Sequence, residues 1–414
     1  MANEPSTAKS EWSGHWYLPI VAMLGYSTSS LHTYGIGAFV EPLEAAFGWS
    51  RAQISVGLTI AGLTGAALAI PIGALVDRIG PRIIGLLGVA AMCGAWALMG
   101  TATGSVTNWI VLWSILAIAN LGLQGTVWTK AVGSRFEKGR GMAFAVTLSG
   151  APLTAALLPI IATSLIAAFD WRTAFFGVGL IWFAVAFPLM FLFFRSASEA
   201  QARSGLPAGA QPATAAANGL TWAEAVRTSA FYKLLLACAL FTFTVIGLIV
   251  HFVPILTDAG ADPLAAAGTA ALVGVFSIVG RFGTGFLLDR FASNVVGGVV
   301  FMFPVLSCVL LLTDGANPIS QMAAAALFGL TLGAEIDVIA YLTSRRFGLK
   351  SYGSIFGAMM AGLSVGIAVG PLAAGAFYDS FGTYAQFLWL TMAAMVVSGL
   401  AVLTVGNERF DATG

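Results

Sequence analysis

Polar side chains punctuate this chain at intervals, and the stretches between them are almost wholly apolar. Twelve stretches reach the ~20 residues that a helix needs to cross a bilayer. They lie at roughly 16–40, 50–76, 82–102, 107–133, 140–168, 172–195, 230–258, 263–288, 294–313, 318–345, 351–378 and 383–405. Each predicts a spanning helix, so the expected fold class is an all-α membrane protein. The longest break, 196–220, reads SASEAQARSGLPAGAQPATAAANG and has the Ala, Ser, Gly, Pro and Gln content of a linker. TWAEAVRTSAFYKLL follows with mixed charge and aromatics, which predicts a short interfacial helix with Trp222 and Tyr232 at headgroup level. The expected organisation is a tail at 1–15, a six-helix half at 16–195, a linker with its interfacial helix at 196–229, a second half at 230–405 and a tail at 406–414.

Composition agrees with lipid as the solvent. Hydrophobic residues make up 58% of the 414 and charged residues 9%, and mean hydropathy is +0.89. A soluble domain is about one quarter charged. Most of the 49 glycines lie inside apolar runs, where small residues let helices approach closely. A net charge of +1 predicts no nucleic-acid partner. Cys93, Cys238 and Cys308 fall inside spans without metal-ligand spacing and read as buried small hydrophobes. The leading MANEPSTAKSEWSG lacks the pattern of a cleaved signal and is expected to stay on the protein. The only histidines are His15, His32 and His251, and no nucleophile elbow, phosphate loop or ligand pair occurs. No enzyme activity and no cofactor are expected. A sensor would need a soluble output domain, and no segment is long enough for one.

Basic residues set the orientation. With the N-terminus cytoplasmic, two of the nineteen, Arg51 and Arg172, fall outside and two, Lys130 and Arg281, fall within spans, which leaves fifteen on the inside. That asymmetry predicts both termini in the cytoplasm of a plasma membrane, the bacterial inner membrane.

The chain also repeats itself. GALVDR at 73–78 returns as GFLLDR at 285–290, an offset of 212. The same offset pairs Pro42 with Pro254, Gly62 with Gly274, Gly150 with Gly362, Pro159 with Pro371 and Phe175 with Phe387. Two six-helix halves of like orientation are predicted, related by an axis along the membrane normal. That is a transporter design with its site near the midplane. Pro159 and Pro371 are expected to bend equivalent helices.

GALVDRIGPR, with Gly73, Asp77, Arg78, Gly80 and Arg82, resembles the signature loop between helices 2 and 3 of the major facilitator superfamily. Gly285, Asp289 and Arg290 stand where the family keeps a degenerate copy. The resemblance implies that Gly73, Asp77, Arg78, Gly285, Asp289 and Arg290 are gating parts of a cytoplasmic closure. FGWSRAQIS at 47–55 and YLTSRRFGLKSYGSIFGAMMAGLSVGIAVGPLAAGAFYDSFG at 341–382 resemble the monocarboxylate transporter-like branch, with bacterial relatives that include the oxalate/formate antiporters. The branch implies secondary transport of small carboxylates, often with a proton.

Charges inside spans carry the candidate chemistry, since a charge at mid-bilayer costs about 2.5–3.5 kcal/mol on insertion scales. Arg281 lies seven residues above Leu288, roughly 10 Å deep at ~1.5 Å per residue. The branch resemblance makes it the substrate-carboxylate arginine, and a guanidinium forks onto a carboxylate. Eukaryotic members carry an aspartate one turn earlier, where this chain has Ser277, and a helix 1 lysine where it has Tyr34. Glu335 and Asp337 are the candidate proton-coupling acids. Two positions apart, they diverge by about 200° around a helix, so Glu335 is assigned as proton carrier or substrate-side acid and Asp337 as structural or gating partner. Tyr26, Ser30 and Tyr34 share a face at i, i+4, i+8, as do Asn120, Gln124 and Trp128. Both sets are expected to bind substrate, together with His251 and Tyr341. His251 is a candidate either to titrate or to hydrogen-bond the substrate. Lys130 is expected to snorkel.

The expected function is a proton-coupled symporter of a small monocarboxylate, working by rocker-switch alternating access. Its partners would be the acid, protons and membrane lipid, and it would act as a monomer. The alternative is an organic-anion exchanger, or a transporter of aromatic or dicarboxylic acids. Drug efflux fits less well, because GAPLTAALLP at 150–159 gives no clear efflux signature.

Overall fold

A computed structural model describes residues 8–136, 140–195, 219–288, 290–348 and 350–406. Among them the regular elements are helical, and one isolated bridge joins Gly219 to Gly348. The chain runs through α1 (Ala8–His15), α2 (Tyr17–Ser29), α3 (Leu31–Gly35), a 3-10 turn (Ile36–Phe39), α4 (Val40–Phe47), α5 (Arg51–Ile79), α6 (Pro81–Leu98) and α7 (Val106–Asn120). It continues through α8 (Gly125–Gly133), α9 (Arg140–Leu148), α10 (Gly150–Ala168) and α11 (Trp171–Phe193). After the linker come α12 (Trp222–Ala225), α13 (Ser229–Asp258), α14 (Pro263–Leu288), α15 (Ser293–Val300), α16 (Phe303–Asp314), α17 (Pro318–Phe347), α18 (Tyr352–Phe381) and α19 (Ala385–Leu403).

Among the described residues, ten stretches are long and apolar enough to cross a membrane. Tyr17–Phe47, divided among short pieces, and Arg51–Ile79 complete the twelve spans. In lipid a helix satisfies its own backbone polar groups, which is why apolar runs of this length fold this way. A short helix, α12, stands where the one before the seventh span was expected. It is closed by a capping box in which the Glu224 N–H donates to Thr221 Oγ1 and the Thr221 N–H and hydroxyl donate to the Glu224 carboxylate. Those bonds hold the Glu224 carboxyl below its ordinary range.

Four spans expected as single helices are interrupted, and each break has a local cause. In the first, the Ser27 and Ser29 hydroxyls donate to the Leu24 and Tyr26 carbonyls at 2.6 and 2.7 Å, competing with the helical ladder just before Ser30. In the fourth, two glycines flank Gln124, whose ψ of 147° leaves the helix. In the fifth, Ser149 donates back to the Ala145 carbonyl at 2.7 Å, and Gly150 follows. In the ninth, α15 stops before Pro304, which takes a first-turn position of α16. The repeat partners of spans 1, 4 and 5 are α13, α17 and α18, and each runs unbroken for 30 residues.

Contacts group the chain into two compact units. The first holds Met1–Tyr34, Thr64–Thr154 and Ser164–Gln211, and the second Gly35–Leu63, Ala155–Thr163 and Pro212–Gly414. The first has an aromatic interior that includes Trp96, Trp113, Trp128, Phe175 and Phe194. The second is built on two close helix seams, α13 with α18 and α14 with α17. Along the latter, Gly280, Gly329 and Gly333 lie so near the partner backbone that a Cβ would collide with the Leu330, Val273 and Ser277 carbonyls. That contact fixes the register of the two helices that bear the spanning charges.

Candidate functional site

Two charged clusters lie within the second unit. The first lies inside its spans, past the midpoint of α14 and of α17. Arg281 projects from α14 and Asp337 from α17, with 3.5 Å between Nε and Oδ2. The same Nε lies 3.5 Å from the Gly333 carbonyl, which the glycine seam brings close. Both contacts are at the long limit for a hydrogen bond. Arg281 Nη1 is buried and has no hydrogen-bond partner among the described residues. The guanidinium is therefore held from one edge while much of its fork is uncommitted.

Glu335 stands two residues before Asp337 and is 7% exposed. The Thr242 hydroxyl of α13 lies 2.9 Å from Glu335 Oε1 and 3.0 Å from the Cys238 carbonyl. A hydroxyl has one proton and two acceptor sites, so this partner serves either state of the acid. Facing a carboxylate, Thr242 donates to it. Facing a carboxylic acid, it accepts and turns its own proton to Cys238. The Arg281 charge is felt at both acids. Ser277 is fully buried in the seam and donates to the Gly274 carbonyl at 3.1 Å.

The second cluster is centred on Arg51 and was not singled out from the sequence. Gly48 (φ +64°) ends α4 in the left-handed region. Ser50 and Gln53 then cap α5 reciprocally, at 2.9 and 3.2 Å. The two N–H groups between them, of Arg51 and Ala52, donate to Asp379 of α18 at 3.0 Å each. All four exposed amides at this helix start are thus satisfied, two of them by a residue more than three hundred positions away. The Arg51 side chain, 4% exposed, forks onto Asp258 at 2.8 and 3.2 Å, reaches Glu44 at 3.2 Å and donates to the Tyr384 hydroxyl at 2.9 Å. Its guanidinium carbon sits 3.7 Å from the centre of the Tyr378 ring.

His251 belongs to this second cluster, not to Arg281. It is fully buried, with Nδ1 2.7 Å from the Tyr384 hydroxyl and Nε2 3.1 Å from both the Pro371 carbonyl and Ser55 Oγ. Ser55 spends its proton on the Arg51 carbonyl at 2.8 Å. Nε2 must then be the donor and Nδ1 the acceptor, which assigns the tautomer from its partners. Thr257 donates to Glu41, and Thr59 to the Ala368 carbonyl, further joining residues 35–63 to α13 and α18.

The other sequence candidates fall elsewhere. Tyr341 accepts from Arg345 at 3.0 Å, one turn along α17. Arg290 is exposed and lies 3.9 Å from the Phe286 ring centre, Gly285 is part-buried on α14, and Arg78 is exposed on α5. The side-chain surroundings of Gly73 and Asp77 on α5, and the whole of Asp289, lie outside the described residues. In the first unit, the Tyr34 N–H donates to the Ser30 carbonyl at 3.1 Å, so helical register carries the Tyr26, Ser30 and Tyr34 face across the break. The Asn120, Gln124 and Trp128 face does not survive, because Gln124 interrupts the helix. Trp128 is fully buried under Gly25 and Gly85, with its indole N–H donated to the Leu123 carbonyl at 2.9 Å. Lys130 reaches the Val76 carbonyl at 3.5 Å. The signal that could have found Arg51 was its place: a lone cation opening a span on the cation-poor side, in a chain whose 378–384 turn carries Tyr378, Asp379 and Tyr384.

The family model of the Major Facilitator Superfamily matches residues 22–360. The MFS transporter asaE of Aspergillus flavus is 26% identical over 289 residues, which is 69% of this chain and 61% of that protein. Monocarboxylate transporter 12-B of Danio rerio is 27% identical over 164 residues, 39% of this chain and 34% of that protein. The chain thus spans less than two thirds of the length of either relative. Among solved structures, a bacterial homologue of the human lysosomal transporter Spinster is similar with a TM-score of 0.71 in both its unoccupied and occupied inward-facing forms. Identity is 19% and 18%, and coverage is 94% and 97% of this chain and 95% and 97% of those chains. At that identity the likeness is one of fold.

Proposed function

Because the chain belongs to the Major Facilitator Superfamily, we propose that it is a secondary active transporter that moves a small monocarboxylate together with a proton by alternating access. The carrying observation is Arg281: a cation inside a span whose Nη1 is buried and unspent, beside two carboxyl groups. The incoming carboxylate takes the open side of the fork and competes with Asp337 for the charge. Glu335 carries the proton, and Thr242 accompanies it through both states by reversing its hydrogen bond. The Arg51 cluster is the closed gate at the external end, which must come apart for substrate to enter from that side. The protein sits in a bacterial plasma membrane with both termini in the cytoplasm and works as a monomer. Named similarity to a monocarboxylate transporter supports the substrate class.

The test is uptake into proteoliposomes that hold a pH-sensitive dye, with short and aromatic monocarboxylates added in turn. Acidification of the lumen that depends on one acid and vanishes in Arg281→Gln is expected. Glu335→Gln should lose proton-driven uptake yet keep counterflow of labelled acid, and loss of neither overturns the coupling role. The Arg281–Asp337 pair favours one second reading, an organic-anion exchanger in which anions displace one another from the arginine. Counterflow with no acidification by any acid would select it.

A further inference from the structure

At one end of the first unit, α6 and α11 frame a cavity of about 360 Å³ lined by Arg82, Ile83, Leu86, Phe191, Leu192 and Arg195. We propose that it is a binding site for the phosphate headgroup of an anionic glycerophospholipid. Three features of different kinds meet here. Arg82 is placed by its Nη2 donation to the Phe191 carbonyl at 2.5 Å. Arg195, just beyond the end of α11, has a buried Nε with no hydrogen-bond partner among the described residues. Arg82 is itself the second residue of α6, which Gly80 (φ +94°) and Pro81 open with no side-chain cap. It therefore stands in the first turn, at the positive end of that helix.

The walls decide between kinds of anion. Ile83, Phe191 and Leu192 are each more than half exposed, and they continue into the outward-facing apolar side chains of two spanning helices. A free phosphate gains nothing from such walls, whereas a lipid phosphate arrives with acyl chains that lie along them. Basic pockets between spanning helices on the cytoplasmic side suit anionic headgroups, at about 1 kcal/mol per cation. The Arg195 guanidinium forks onto phosphate oxygens more effectively than a lysine would, and Arg82 adds its charge beside it. Arg281, the transported acid and the proposed coupling acids take no part, so the inference stands apart from the transport reading.

The experiment is native mass spectrometry of the purified full chain in mixed micelles of phosphatidylglycerol and phosphatidylcholine with identical acyl chains. Two cations at that strength give a preference for phosphatidylglycerol of roughly 30-fold. Arg195→Gln should cut the preference to about a fifth, one cation's share. Arg227→Gln, an exposed cation elsewhere, should leave it unchanged. Equal retention of the two lipids by the unaltered protein overturns the proposal, and so does an undiminished preference in folded Arg195→Gln. Should that variant fail to fold, Arg195→Lys and the unaltered protein's own lipid ratio still decide. Millimolar inorganic phosphate that displaces all lipid preference would mark a free-anion site and refute the lipid assignment.

Discussion

Arg51 and Arg281 carry the same guanidinium within the same unit and are used in opposite ways. Around Arg51, four polar contacts to Glu44, Asp258 and Tyr384 all fall at or below 3.2 Å, and a tyrosine ring covers one face. Around Arg281, the two contacts stand at 3.5 Å and a buried nitrogen is idle. An arginine with four of its five N–H donors spent is a fastening, and its removal leaves two half-buried carboxylates without a counter-charge. An arginine with idle donors keeps them for something that arrives. Burial alone does not separate the two. Partner geometry does.

The sharpest way to break the comparison is Arg51→Ala. It should lower the stability of the folded protein by about 1.5–3 kcal/mol, the range for hydrogen bonds to a charged group, because the Glu44 and Asp258 side chains it leaves are 38% and 33% exposed, read by thermal unfolding in detergent. A stability change below about 1 kcal/mol would mean that the cluster is an ordinary exposed pairing. Next comes Arg281→Lys, which keeps the charge and loses the fork. Uptake should fall about 10- to 100-fold, the worth of one or two hydrogen bonds to a charged group, while the unfolding midpoint stays in place. A matching fall in stability would make Arg281 a second fastening. Smaller is Asp379→Ala, which uncaps the start of α5. It should cost about 1 kcal/mol, detectable in the same melt, and no change would show that Ser50 and Gln53 suffice. Least is Glu44→Gln. Its side chain is 38% exposed, so screening should hold its effect within about 1 kcal/mol.

The same contrast explains what the sequence could reveal. Spans were legible because length and apolarity are local, and 263–288 agrees with α14 at both ends. Arg281 and its neighbouring acids were legible because a charge inside an apolar run is conspicuous by itself. Arg51 was not, since it opens a span where a charge costs little and its partners other than Glu44 lie 207 to 333 positions away. His251 was seen as chemistry but not as to which cluster it joins, since Tyr384, Pro371 and Ser55 come from three distant segments. The breaks at Ser30 and Gln124 were missed because hydropathy does not register backbone angles, although paired serines and paired glycines stand at each. The stripe that depended on an unbroken helix, ending in Trp128, failed with it. The stripe through Ser30 kept its register because a backbone bond spans the kink.

The glycine seam of α14 and α17 has a bearing on how this protein would answer a comprehensive substitution scan. Gly280, Gly329 and Gly333 admit no added methyl without displacing the facing backbone. Gly333 also offers a carbonyl to Arg281. Replacements there would silence transport as thoroughly as replacements of the charges they position, so a map of intolerant sites would mark residues that never touch the cargo. What would tell the two groups apart is the character of the lesion. Loss of a charge leaves a well-formed but inert carrier, whereas widening of the seam leaves a carrier that never reaches the membrane in its proper form.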